Sequence, residues 1–241
     1  QFQVLQADAD KYIQAYKELE TTVRSIFNLP QGKSISYILS KERSTAFLKK
    51  EIQYCQDVRN LLQHREKISD KYPIVPTDEM VAYINNTIER LKNRPRCYDI
   101  AIPKSRIFSA TMKDNVRQTI NTMREYRYSH VPVIDRGKLV GVLSEHSIFN
   151  YVVDEGIVDI DDNLILEDLS KYLSIDRDDV EVFSFQPASL YIDELEEVFE
   201  KEFHKGNRLD MVFLTVNGRS DQEVTGILTP WDVLGHPSRR N

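Results

Sequence analysis

One pattern occurs twice in the second half of the sequence. A β-branched run, a polar turn and a second apolar run ending in Ser or Thr precede, each time, the start of a helix. The first copy runs from Val131 to Ser147 and the second, with a longer turn, from Met211 to Asp232. Each follows an amphipathic helix whose apolar residues are Val116, Ile120 and Met123 in one case and Ile192, Leu195, Phe199 and Phe203 in the other. A repeated helix–strand–strand–helix unit predicts an α+β fold with two similar lobes.

The first half of the sequence predicts helices only. Apolar residues recur at three- and four-residue steps from Leu5 to Ile26, from Ser44 to Ile68, and from Thr77, a predicted N-cap, to Leu91. Ser34 is expected to cap a further short helix between the first two. Four antiparallel helices with short loops predict an all-α four-helix bundle.

Charge, hydropathy and cysteine content exclude several classes of protein. The net charge is −6, and by residue type it divides into +3 for residues 1–99 and −9 for the remainder. An acidic half is a poor nucleic-acid surface, so no DNA partner is expected. No stretch of 18 apolar residues occurs and the first residues lack the features of a secretory signal, so a cytoplasmic protein without a membrane partner is expected. Cys55 and Cys97 suit a reducing compartment and show no metal-binding spacing.

The two copies resemble the CBS domain signature. VPVID, then GVLSEHS in one copy and GILTPWD in the other, match a hydrophobic strand followed by Gly, two apolar residues, Ser or Thr, two further residues and Asp. The resemblance extends from about Tyr98 to Gly235 and implies a tandem CBS pair (a Bateman module). Such a module binds an adenine nucleotide, AMP, ADP or ATP, and reports it to an attached domain. The expected domains are a helical bundle at 1–96 and CBS domains at 97–158 and 159–241.

The resemblance implies a nucleotide site where a helix follows the second strand of a copy. The hydroxyl of Ser144 or Thr229 would bind a phosphate oxygen at the helix N-terminus, and Asp232 would accept the ribose hydroxyls. The first copy has Ser147 where the second has Asp232. The other implied binding residues are His130 and Arg208 near the phosphates, Gly141 and Gly226 at close backbone approaches, and Phe108, Val131 and Phe183 around the adenine. Thr229 and Asp232 also fit a capping box with Pro230 at its first position, an interpretation that needs no ligand.

A second motif lies in the helical half. The residues RNLLQH, from Arg59 to His64, resemble the R-polar-x-x-x-H motif of HEPN domains, four-helix proteins that often dimerise and often cleave RNA without metal. Asn60 and His64 are four residues apart and therefore share one face of a helix. The resemblance implies that His64 is a general acid or base and that Arg59 stabilises charge on phosphorus. The alternative is that these polar residues occupy a solvated or dimer-forming face.

Three hypotheses about function follow from these motifs. In the first, an adenine nucleotide bound to the CBS pair controls the attached HEPN-like helical domain. In the second, the protein is a nucleotide-regulated, metal-independent ribonuclease that binds RNA through the helical domain and uses Arg59, Asn60 and His64. In the third, it is a dimerisation scaffold with no ligand. A homodimer without bound metal is expected, because CBS pairs commonly associate and closed two-fold dimers are the commonest soluble assemblies.

Overall fold

The computed structural model of the protein describes residues 2–30, 32, 34–35, 48–64, 74–157, 159–175 and 181–235. The chain divides into two compact units, Gln1–Arg94 and Pro95–Asn241. Within the described ranges, no helix has both the length and the apolar character needed to cross a bilayer.

The first unit contains three described helices, α1 (Phe2–Ile26), α2 (Lys49–His64) and α3 (Asp78–Lys92). Each helix contacts the other two, and together they enclose one apolar core. The fully buried residues of this core include Tyr12, Leu19, Val23, Cys55 and Ile84. The short helix predicted after Ser34 lies outside the described residues except for its first two positions, as do both ends of the helix predicted from Ser44 to Ile68. The fourth helix of the bundle therefore stays a prediction.

Helix α3 begins where the sequence predicts. The Thr77 hydroxyl accepts a hydrogen bond from the Met80 backbone N–H at 3.4 Å, which confirms Thr77 as the N-cap. Acidic residues occupy the first turn and basic residues the last, an arrangement that the helix dipole favours. Val81, Ile84, Ile88 and Leu91 then form the buried face of the helix.

The second unit mixes helices and strands, as predicted. It begins with α4 (Cys97–Ile100), β1 (Ile102–Pro103) and a 3₁₀ turn (Lys104–Arg106), and the first copy follows as α5 (Val116–Tyr126), β2 (His130–Asp135), β3 (Lys138–Ser144) and α6 (Glu145–Asp154). After a 3₁₀ helix (Leu166–Tyr172), the second copy consists of β4 (Glu181–Pro187), α7 (Ile192–His204), β5 (Arg208–Thr215), β6 (Gly226–Leu228) and α8 (Pro230–Leu234). Strands β2 and β3 pair antiparallel, and the other sheet has the order β1-β6-β5-β4, in which only β4 and β5 are parallel.

Each copy is completed by a segment from outside it. Strand β1, which precedes the first copy, pairs with β6 of the second copy, while the carbonyl of Leu173 accepts from the Val142 N–H of β3 at 2.9 Å. Gly141 and Gly226 lie at these two junctions. A Cβ atom on Gly141 would lie 2.8 Å from the Leu173 carbonyl oxygen, and one on Gly226 would lie 3.1 Å from that of Ile102. Both glycines therefore permit close packing of one backbone segment against another.

A shared apolar core joins the two copies. Phe213 of β5 is fully buried at its centre, among Leu139, Val142, Met211, Val224 and Ile227. Helix α7 packs on the sheet through Ile192 and Leu195, as predicted. The prediction that its apolar stripe reaches Phe203 is wrong: Phe203 is 76% exposed, because contact with the core already weakens at the partly buried Phe199.

Both cysteines are free and fully buried. Burial raises the pKa of each thiol to about 12, so almost no thiolate exists near neutral pH. We therefore expect neither Cys55 nor Cys97 to react with a thiol reagent at pH 8 in the native protein, and both to react rapidly in denaturant. Spectrophotometric titration with Ellman's reagent measures this, and a thiol that reacts within minutes without denaturant would contradict the buried packing.

Candidate functional site

A cavity of about 520 Å³ opens between the two copies of the second unit. Its wall is formed by the segment before the first copy, the beginnings of β2 and β5, and the junction of β6 with α8. Much of the wall is apolar, and these apolar residues are Ile102, Ile107, Phe108, Pro132, Leu209, Met211, Ile227 and Pro230. A concave, mostly apolar surface with a few polar groups is the usual form of a small-molecule site.

The polar part of the cavity wall has a net positive charge, although the buried carboxylate of Asp210 also lines it. Three arginines, Arg106, Arg127 and Arg208, line it together with His130. The Arg208 Nε atom pairs with Asp210 Oδ1 at 2.8 Å, whereas neither Arg106 nor Arg127 forms an ion pair with any residue in the described ranges. Two guanidinium groups without carboxylate partners in the described part of the chain favour an anionic ligand, since planar guanidinium donors match phosphate geometry.

Aromatic rings border one side of the cavity. Phe108 stacks on Tyr128 with ring centroids 5.8 Å apart, and Tyr128 stacks in turn on Tyr126 at the same spacing. Phe108 and Tyr128 line the cavity, while Trp231 borders it from α8 and is 82% exposed. Partly exposed aromatic faces are suited to stacking against a planar base.

Thr229 lines the cavity at the beginning of α8. Its backbone N–H and its hydroxyl both donate to the same Asp232 carboxylate oxygen, at 2.7 and 2.8 Å. These bonds form half of a capping box, and Pro230 occupies the first turn as the sequence suggests. Asp232 itself is half-buried and does not line the cavity, but it is hydrogen-bonded to Thr229, which does.

The corresponding cleft beside the first copy is filled by protein groups. The Ser144 hydroxyl donates to Glu181 Oε2 at 2.7 Å, and His130 Nε2 hydrogen-bonds Glu181 Oε1 at 3.2 Å. Ser147 is buried, and its backbone N–H and its hydroxyl both bond to Ser144. Burial opposes ionisation of Glu181, but hydrogen bonds from His130 and Ser144 outweigh it and hold the pKa of the carboxyl below its usual value. The cleft thus contains an ionised carboxylate.

The cavity collects some of the residues predicted to bind nucleotide and not others. Thr229, His130, Arg208 and Phe108 line it. The remaining predicted residues do not: Val131 is fully buried in the core, Gly141 and Gly226 pack against backbone, and Ser144 and Ser147 belong to the filled cleft. Sequence analysis missed Arg106, Arg127 and Glu181.

The helical motif is only partly described. Arg59 Nη1 donates to Asn60 Oδ1 at 3.1 Å, and the Arg59 guanidinium lies 5.6 Å from the centre of the Tyr16 ring. His64 is the last residue of α2, and its side chain lies outside the described part of the chain. In the described ranges, no three His, Cys, Asp or Glu residues cluster closely enough to hold a metal ion.

Three comparisons relate the chain to known proteins. A search of curated proteins returns no match. Solved structures that resemble it include the CBS domain of a putative transporter from Clostridium difficile (15% identity, 59% of this chain, 92% of that one, TM-score 0.42). A second is CBSX2 in complex with AMP (16% identity, 58% of this chain, 93% of that one, TM-score 0.39). A third is the CBS domain pair of protein MJ0100 with 5′-methylthioadenosine and S-adenosyl-L-methionine (15% identity, 59% of this chain, 94% of that one, TM-score 0.39). The family model of the CBS domain matches residues 98–154, which run from α4 to the end of α6. Residues 98–154 of this chain are therefore a CBS domain.

Proposed function

We propose that this protein binds an adenine nucleotide in the cavity between the two copies and that binding regulates the helical unit. The observation that carries the proposal is the composition of the cavity wall. An apolar, aromatic part suited to a purine adjoins Arg106 and Arg127, which suit phosphates. The CBS domain at 98–154 supports the same class of ligand, because the wall includes residues of that domain.

The orientation of the ligand follows from the same wall. The base lies in the apolar region beside Phe108, and the phosphates lie toward the arginines. The ribose lies near Thr229, whose partner Asp232 has the second oxygen of its carboxylate available for a sugar hydroxyl. The second copy thus supplies the sugar contacts, while Arg106 before the first copy and Arg127 within it supply the phosphate contacts.

Calorimetry on the intact protein tests the binding. AMP, ADP, ATP and S-adenosylmethionine are titrated separately, with CTP as the control that keeps the ribose and triphosphate of ATP but lacks its adenine. At least one adenine compound is expected to bind more tightly than CTP and to raise the free energy of unfolding by about 2.7 kcal/mol at a hundredfold excess over Kd. If no adenine compound binds at millimolar concentration, the proposal fails.

Regulation of the helical unit needs its own measurement. Hydrogen exchange of backbone amides in residues 1–94 is compared with and without the bound nucleotide. A ligand changes the helical unit only if it binds one of two states of the protein better than the other. Unchanged exchange rates throughout residues 1–94, with protection confined to the cavity wall, would leave a nucleotide-binding protein without this regulatory role.

A catalytic role for the helical motif is not part of the proposal. Arg59 contacts Asn60 and Tyr16, two residues of its own unit, and these contacts explain a polar side chain at that position without RNA.

A further inference from the structure

The two clefts of the second unit are built from corresponding pieces of the repeat. The open cavity combines the segment RIFSA, from Arg106 to Ala110, with the start of α8 in the second copy. The filled cleft combines the matching segment EVFSF, from Glu181 to Phe185, with the start of α6 in the first copy. The first position of the two segments therefore carries opposite charges: an arginine faces the open cavity, and a glutamate occupies the filled cleft.

Both oxygens of the Glu181 carboxylate form hydrogen bonds at the N-terminus of a helix, where negative charge is favoured. One accepts from Ser144, the N-cap of the ten-residue helix α6, and the other from His130. The exposed fractions of the Glu181 and His130 side chains are only 19% and 11%, and Ser144 is 1% exposed. The positive end of the α6 dipole stabilises negative charge here, so the carboxylate takes a place that a phosphate would otherwise suit.

An aromatic side chain also borders this cleft. Phe183 packs edge-on against His130, with ring centroids 5.9 Å apart, and also contacts Phe213 of the core. Phe183 corresponds in the repeat to Phe108, which borders the open cavity. The two clefts therefore have a phenylalanine at the same place and differ at the anion position, which Glu181 occupies only in the filled cleft.

We propose that Glu181 is a built-in anion that excludes nucleotide from the cleft of the first copy, so that the chain binds a single nucleotide, in the open cavity. The inference rests on the proposed function, because it names which of the two repeat-related clefts is used. A phosphate that entered the filled cleft would have to displace the Glu181 carboxylate or lie beside it. Two negative groups side by side in a partly buried cleft repel each other strongly.

The absence of a ribose-binding carboxylate in the first copy suggests how to test the role of Glu181. Ser147 occupies the position that Asp232 has in the second copy, and both side chains bond to the backbone N–H of their N-cap residue. Ser147→Asp is therefore expected to preserve the cap of α6 while adding the missing carboxylate. Combined with Glu181→Ala, it removes the carboxylate from the anion position and gives the first copy the same capping pair that Thr229 and Asp232 form in the second.

Equilibrium dialysis of the intact protein with radiolabelled AMP and ATP measures the number of nucleotides bound per chain. We expect one for wild type, one for Ser147→Asp, in which Glu181 still excludes the ligand, and two for Ser147→Asp with Glu181→Ala. Circular dichroism checks that each variant is folded. If the double variant does not fold, Glu181→Ala alone replaces it, with a weaker second site expected at millimolar nucleotide.

The possible outcomes separate this inference from the proposed function. Two nucleotides bound by wild type, or only one by the folded variant that lacks Glu181, would overturn the role of Glu181. No binding by wild type but one nucleotide bound by the double variant would uphold that role and refute the open cavity as the site. No binding by any variant would refute both.

Discussion

Replacing Arg106 and Arg127 together by alanine is expected to weaken binding of the adenine nucleotide by roughly a hundredfold or more. Each guanidinium can form a charge-assisted hydrogen bond to phosphate, worth about 1.5–3 kcal/mol, and about 1.4 kcal/mol corresponds to a tenfold change in Kd. Neither arginine has an ion-pair partner among the described residues, so their removal leaves no buried carboxylate unpaired. The fold should therefore survive, and calorimetry should report a loss of affinity alone.

The matched control removes the same charge elsewhere. Arg124 lies on α5 three residues before Arg127, and Arg136 lies in the turn between β2 and β3; both are exposed and neither lines the cavity. Their double alanine variant changes the net charge equally but is expected to alter Kd by less than about threefold, because exposed charges at a distance are screened by salt. Equal losses in the two double variants would mean that general electrostatic attraction, rather than contact in the cavity, accounts for binding.

Local features of the sequence predict local structure well in this protein. Thr77 is followed by two acidic residues and an apolar stripe, and these signals depend only on neighbouring residues. The repeat likewise predicts the strand–turn–strand units, because alternation and turn residues are local. Phe203 shows the limit of this approach: periodicity places it on the apolar face of α7, but only the tertiary structure determines how far along the helix the core extends.

The candidate site was predictable mainly where the repeat motif itself supplies the residue, although Phe108, which precedes the motif, was also predicted and lines the cavity. Thr229 and His130 lie in or beside the motif, and both line the cavity. Glu181 was not predictable in this way, because it meets Ser144 across 37 residues of sequence and only the folded chain brings the two together. Arg106 carried a weak signal that was missed, the match of RIFSA to EVFSF. Arg127 carried none, since a lone arginine at the end of a helix is common on solvated surfaces.

Phe213→Ala is expected to have the largest effect on stability of any single substitution considered. Phe213 is fully buried, and its ring lies 5.6 Å from that of Phe185 and 6.2 Å from that of Phe183. Truncation of a buried phenylalanine removes its transfer free energy and leaves a cavity, at a cost of about 3–5 kcal/mol. Since the free energy of unfolding of a domain is commonly only about 5–15 kcal/mol, this loss would be a large fraction of the stability of the second unit.

The exposed Phe203 provides the matched control, because Phe203→Ala removes the same atoms from solvent and should change the free energy of unfolding by less than about 0.5 kcal/mol. Urea denaturation followed by fluorescence of Trp231, the single tryptophan of the sequence, reports on the second unit, and circular dichroism reports on all helices. Phe213 shares its cluster with Met211 and Ile227, which also line the cavity, so Phe213→Ala should weaken nucleotide binding as well. A Phe213→Ala protein as stable as Phe203→Ala would show that the two copies are not held together by this core, and the cavity between them would lose its structural basis.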